Sequence, residues 1–154
     1  MTEELHMHFN KLTLASLSLA AILASPAFAA DFEVKMLNKG AEGAMVFEPA
    51  LTRIQPGDTV TFVAASKGHN AETVPGMFPE GFEPFKSAIG KDFTFTFEEA
   101  GAYGIRCTPH YGMGMVALIV VGEPENLEAA KAVKQPGKAN ERFAKIFADL
   151  EAGN

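Results

Sequence analysis

The apolar positions of this chain change rhythm along its length. From Leu12 to Ala24 they form a run broken only by Thr13, Ser16 and Ser18. From Phe32 they alternate with polar residues, the period of a strand with one buried face. Phe32-Glu33-Val34-Lys35-Met36 reads as the first such strand. Met45 to Phe47 and Leu51 to Gln55 are extended around Pro49, and Pro56-Gly57-Asp58 is a turn before a β-rich run, Thr59 to Ala64. Phe93, Phe95 and Phe97 alternate with threonines, a strong strand signal. Ala100-Gly101-Ala102 reads as a turn into a strand at Tyr103 to Cys107, and Met115 to Val121 is a nearly continuous Val- and Ile-rich run, expected to be a buried strand. Between Lys67 and Gly90, Pro75, Pro79 and Pro84 predict a loop with one short helical turn. Short strands separated by turns predict an all-β sandwich or barrel.

The tail keeps a different period. Glu125 to Lys134 and Ala139 to Ala152 are rich in good helix formers and are split by Pro136-Gly137. Phe143, Ile146, Phe147 and Leu150 fall on one helical face, an apolar stripe expected to pack on the sandwich.

The first apolar run is too short for a membrane span, which needs roughly 20 apolar residues. Lys11 precedes it, and Ala27-Phe28-Ala29 follows Pro26. A cation, a short apolar core and a small-x-small end make a secretory leader. Residues 1–29 are therefore expected to be removed, with the domain spanning 30–154. The acidic opening Met1-Thr2-Glu3-Glu4 is unlike a leader, and a start at Met7 fits that pattern better. Without the leader, 12 basic and 17 acidic residues remain, a net charge of −5. That excess argues against nucleic-acid binding, which needs clustered cations. No membrane span is expected in the exported form.

Cysteine and histidine are sparse enough to be informative. Beyond the leader the chain holds one cysteine, Cys107, and two histidines, His69 and His110. An exported chain with a single thiol has no internal disulfide, so that thiol is exposed to oxidation unless something occupies it. A lone cysteine is more often a small buried hydrophobe. Here it lies three residues from one of two histidines, in Cys107-Thr108-Pro109-His110-Tyr111-Gly112-Met113-Gly114-Met115. His69 sits in an earlier loop. One thiolate, two imidazoles and a thioether are the donor set of a trigonal copper site with a weak axial methionine. Soft sulfur suits Cu(I) and imidazole suits copper generally, so such a site serves electron transfer. A full zinc tetrahedron would need another strong ligand. Met115 is the expected axial donor, because it lies where the loop re-enters a strand beside Cys107; Met113 is the alternative. A delivery protein would need exchangeable ligands, and an oxidase would need further histidines.

The spacing Cys-x2-His-x4-Met with a remote histidine resembles the cupredoxin family, in the spacing used by its plastocyanin-like members. Met36-Leu37-Asn38-Lys39-Gly40, Gly43-Ala44-Met45-Val46-Phe47-Glu48-Pro49, the ligand loop and the paired tail helices resemble its pseudoazurin branch, over essentially 30–150. The resemblance implies an eight-stranded Greek-key β-sandwich with two C-terminal α-helices and one type 1 copper at one end. It implies His69, Cys107, His110 and Met115 as metal ligands, with the His110 ring edge at the surface. It also implies a periplasmic electron shuttle, not an enzyme, meeting a cytochrome-like donor and a nitrite reductase-like acceptor transiently, as a monomer.

Supporting residues follow from chemistry and resemblance together. Asn70 is expected to give its backbone N–H to the Cys107 sulfur, Asn38 to tie the ligand loop through Thr108, and Met45 to lie near the exposed imidazole. Pro109 has no N–H to give the thiolate. Pro109→Ala would supply one, and a hydrogen bond there favours Cu(I), so its reduction potential is expected to rise; voltammetry tests this. Lys39, Lys67, Lys86 and Arg106 resemble a cationic ring for partner docking. Arg106 stands where relatives often carry lysine.

Overall fold

A computed structural model describes residues 28–153. Of the leader expected over residues 1–29, residues 1–27, with Met1 and Met7, lie outside the described residues, and Phe28, Ala29 and Ala30 are exposed. Eight strands form two sheets. The first has the order β2 (Gly43–Glu48), β1 (Asp31–Gly40), β4 (Asp58–Val63), β6 (Phe93–Phe97). The second has the order β3 (Leu51–Ile54), β8 (Val116–Val121), β7 (Gly101–Arg106), β5 (Glu72–Thr73). Pairing is antiparallel except for β1 with β4 and β3 with β8. The all-β sandwich with C-terminal helices is as expected.

Strand patterns follow from which faces are covered. On β6, Phe93, Phe95 and Phe97 turn inward, while Thr94 and Thr96 face out and hydrogen-bond Thr61 and Thr59 on β4 at 2.9 and 3.3 Å. β8 is buried at every position because both its faces are covered. Ala117, Ile119 and Val121 join the core between the sheets; Val116, Leu118 and Val120 meet the helices. A continuous apolar run is what double coverage requires.

The helices are α1 (Leu127–Ala132) and α2 (Lys138–Glu151). The stripe Phe143, Ile146, Phe147 and Leu150 is buried and closes the outer face of the second sheet. No helix of the described residues is long and apolar enough to cross a membrane.

Three local readings need correction. Gly101 and Ala102 belong to β7 rather than to a turn. Gly101 pairs with Val121, and a Cβ on it would collide with the Pro79 ring, so this glycine serves packing. The segment 67–90 holds no helical turn; it contributes β5, which pairs with β7, and a bridge from Glu72 to Lys86. The first tail helix is shorter than its composition suggested, six residues long.

Candidate metal centre

The strands that carry the site run lengthwise through the sandwich and deliver their following residues to one end. β4 leads to His69, and β7 leads to Cys107. Thr108–Met113 is a 3-10 turn, and Gly114 leaves it at φ 89°, a left-handed conformation that glycine adopts without strain. Cys107 N–H donates to the Met115 carbonyl at 3.0 Å, extending the ladder in which Arg106 faces Val116. Residues directly opposite in such a ladder point to the same face. Met115 therefore stands beside Cys107, and both are fully buried in the core between the sheets. Met113 is 49% exposed.

His69, Cys107 and His110 converge, with ligand atoms within 4.8 Å of one another. The two Nδ1 atoms lie 3.1 Å apart, and the Cys107 sulfur is 3.7 Å from that of His69 and 3.5 Å from that of His110. A point equidistant from three atoms so spaced lies about 2.0 Å from each, the length of a metal–imidazole bond. The donor set therefore fits one ion.

Protonation supports the fit. His69 Nε2–H donates to Asn38 Oδ1 at 2.7 Å, which turns the Nδ1 lone pair toward the other donors. Burial, and then the neighbouring His110, hold the His69 imidazole below its ordinary pKa, so the ring is kept in the neutral form a metal needs. Burial pushes the Cys107 thiol up, and the backbone N–H groups of Asn70 and His110 act against that rise. A thiolate in this apolar setting is thus stabilised by a cation beside it.

The supporting residues are partly rearranged from expectation. The Asn70 N–H lies where it opposes the rise of the Cys107 thiol. Asn38 does not reach Thr108; it holds His69 instead, and its own N–H donates to Ser66 Oγ at 3.1 Å. Thr108 is held by the buried Asn70 side chain: Thr108 N–H donates to Oδ1 at 2.8 Å, and Nδ2 donates to Oγ1 at 3.0 Å. Sequence order gave no sign of this exchange, because both asparagines lie near a ligand. Met45, at φ 53°, packs half-buried against the core between the sheets. Pro109 is exposed at the head of the turn.

Two residues escaped the reading of the sequence. Glu72 accepts Thr108 Oγ1–H at 2.7 Å and Arg106 Nε–H at 3.1 Å, and it lies 3.9 Å from the Lys86 ammonium. Burial would raise its carboxyl, but the bonds from Arg106 and Thr108 outweigh this and hold it below the usual carboxylate range. Gln135, between the helices, accepts the Tyr111 hydroxyl and donates to the Met77 sulfur at 3.0 Å. The Arg106 guanidinium covers the Tyr111 ring, 5.1 Å from its centroid. No periodicity marks such polar links. Of the four cations expected to meet a partner, Lys39, Lys67 and Lys86 are exposed and Arg106 is half-buried.

The profile of the copper binding proteins of the plastocyanin/azurin family matches residues 34–122. The pseudoazurin of Paracoccus pantotrophus is 55% identical over 138 residues, covering 89% of this chain and 94% of the relative. A solved Sinorhizobium pseudoazurin superposes with a TM-score of 0.78 at 52% identity, over 81% of this chain and 99% of that one. The crystal structure of pseudoazurin from Methylobacterium extorquens AM1 gives 0.76 at 47% identity, over 78% and 98%. The chain therefore belongs to the plastocyanin/azurin family of copper-binding proteins, on its pseudoazurin branch, and is a type 1 copper electron-transfer protein rather than an enzyme.

Proposed function

We propose that residues 30–154, freed of a leader cut after Ala29, act as a monomeric periplasmic shuttle for single electrons. The acceptor is copper nitrite reductase or a related denitrification enzyme, and the donor is cytochrome-like. His69, Cys107, His110 and Met115 hold the ion. The observation that carries this reading is the convergence of one sulfur and two Nδ1 atoms at the end of an apolar core, with one imidazole buried and the other half-exposed.

Copper bound there supplies a one-electron Cu(II)/Cu(I) couple. The protein's part is to hold the donors still and give the electron a way out. Asn38 fixes His69, and Asn70 ties Thr108 to the loop beyond β4, so the two ligand-bearing loops move together. His110, half-exposed, is the ligand that reaches toward a partner. Lys39, Lys67, Lys86 and Arg106 steer an acidic partner despite the chain's acidic balance. Such contacts are small and salt-sensitive.

Copper-loaded protein is expected to be intensely blue or green and to bleach reversibly on reduction. Mixed in reduced form with copper nitrite reductase, it is expected to yield one electron per chain. A colourless complex would assign the chain to metal delivery instead. Mass spectrometry of the exported protein, expected to begin at Ala30, tests the leader.

A further inference from the structure

The 3-10 turn that carries His110 bends at that residue, whose φ of −120° and ψ of 17° are not helical. One side of the turn is tied to the sheets through Thr108. The other side leans on the tail. Tyr111, the residue after His110, is half-buried against the apolar cluster beneath the helices. The Arg106 guanidinium lies over its ring, and its hydroxyl donates to Gln135 Oε1 between α1 and α2. Burial pushes the Tyr111 hydroxyl up, against the opposing effect of Arg106, so it stays a donor at neutral pH. Gln135 is fixed in turn: its Nε2 donates to the Met77 sulfur at 3.0 Å and to the Val133 carbonyl at 3.3 Å. Met77 is fully buried, and so close to β7 that a Cβ on Gly104 would meet its side chain at 2.8 Å. Loop and linker approach at a second point, where a Cβ on Gly137 would lie 2.5 Å from the Gly112 carbonyl oxygen. The family profile ends at residue 122, so these contacts join the shared sandwich to a tail beyond it.

We infer that Tyr111 and Gln135 form a strut between the tail helices and the ligand loop, and that this strut positions the His110 imidazole. This rests on His110 as a metal ligand and names what holds it. The His69 ring has a bond of its own to a side chain, from Nε2 to Asn38. Among the described residues, the His110 ring lies within hydrogen-bond distance only of the other two donors. Its direction must therefore come from its backbone. There, the His110 N–H donates to the Cys107 carbonyl and the Met115 N–H donates to the His110 carbonyl, both at 3.2 Å. Both bonds stay within residues 107–115, whereas Tyr111 ties the stretch to the rest of the fold. Without that anchor the imidazole is free to drift. Cu(II) depends on imidazole more than Cu(I) does, because soft sulfur suits Cu(I). Loosening His110 thus weakens the oxidised form more than the reduced one, and the reduction potential rises.

Tyr111→Phe removes the hydroxyl and keeps the ring; Gln135→Leu removes the acceptor and keeps most of the size. Each is expected to lower Cu(II) affinity about tenfold, as loss of a partner outside the ligand set does, with Cu(I) affinity unchanged. That tenfold difference corresponds to a potential higher by about 59 mV for one electron. The double variant is expected to shift no further, because the same bond is lost in all three. A metal-free readout is independent. The Gly114 and Met115 amides donate to the Tyr111 and His110 carbonyls, and their hydrogen exchange is expected to quicken about tenfold in the copper-free variants. Leu150→Ala controls for the packing of the tail as such: it trims the buried stripe of α2 and is expected to lower the urea midpoint while potential and exchange stay native. No shift in either single variant, additive shifts in the double one, or a potential moved as far by Leu150→Ala would overturn the strut. Faster exchange with a native potential would mean that the strut holds the loop without positioning the ligand, and the inference falls. A native chain that gives no coloured copper complex would remove the metal reading itself.

Discussion

The two ends of the sandwich are tied by the same kind of chemistry, to different effect. Each of β1, β4 and β7 has one terminus at either end. At the end away from the metal centre, Asp58 accepts the N–H groups of Ala30 and Gln55, both at 2.7 Å. Asn126 there clasps Ala102, accepting its N–H at 2.7 Å and donating to its carbonyl at 2.9 Å. These bonds join backbone to backbone through one side chain. At the copper end, Asn38 and Asn70 make bonds of similar length, but theirs end on a ligand imidazole and on the residue after the ligand cysteine. A short polar side chain thus secures the scaffold at one end and fixes donor geometry at the other. What separates the roles is the partner's own task.

The sharpest break in that comparison lies within the copper end. His69 is fully buried and His110 is half-exposed. His69→Gly and His110→Gly are both expected to lose the blue absorption completely. Added imidazole is expected to restore colour only in His110→Gly, because solvent reaches that position. Recovery in both variants, seen by absorption and paramagnetic resonance, would mean that burial of His69 does not seal it from solvent.

Removing one tie at each end tests the division directly. Asn38→Ala is expected to lower copper affinity about 10- to 100-fold, as loss of a bond that orients a ligand does. The metal-free chain should lose about 1–3 kcal/mol as well, because the buried His69 Nε2–H is left without its partner. Asn126→Ala is the mirror case. It leaves the Ala102 N–H and carbonyl without their partner, at a cost of about 1–3 kcal/mol, with the copper spectrum unchanged. Competition with a copper chelator and urea unfolding measure the two quantities. A spectral shift in Asn126→Ala would show that the ends are coupled along β7.

The sequence was most legible where a period is imposed by burial. Phe93, Phe95 and Phe97 and the stripe from Phe143 to Leu150 announce themselves because a covered face must be apolar at a fixed spacing. The ligand set was legible for another reason: one thiol and two imidazoles leave few combinations. What stayed hidden has neither period nor scarcity. Gly101 looked like a turn because its role depends on Pro79, 22 residues away in the chain. Asn38 and Asn70 exchanged expected partners because hydrogen bonds between loops follow from their paths, which no local pattern encodes. Glu72 was passed over as one acid among 19.

The smallest expected effect belongs to Asp58, and pH brings it out. The N–H bonds from Ala30 and Gln55 hold its carboxyl below the ordinary value of 3.8, against the opposing effect of burial. A carboxyl with a depressed folded pKa contributes stability above the unfolded value, and that contribution is lost as pH falls through the folded one. Asp58→Asn should therefore have a lower urea midpoint than the native chain at pH 6, and the gap should close as pH falls below the ordinary value of 3.8. The cut proposed after Ala29 adds a second contribution. Once the chain begins at Ala30, the nitrogen that donates to Asp58 Oδ1 is an ammonium, and the hydrogen bond becomes an ion pair. Metal-free chain starting at Ala30 should then lose more of its neutral-pH midpoint to Asp58→Asn than the same chain acetylated at Ala30. Equal losses would mean that the terminus leaves Asp58 once it is freed, and that this end is held through Gln55 alone.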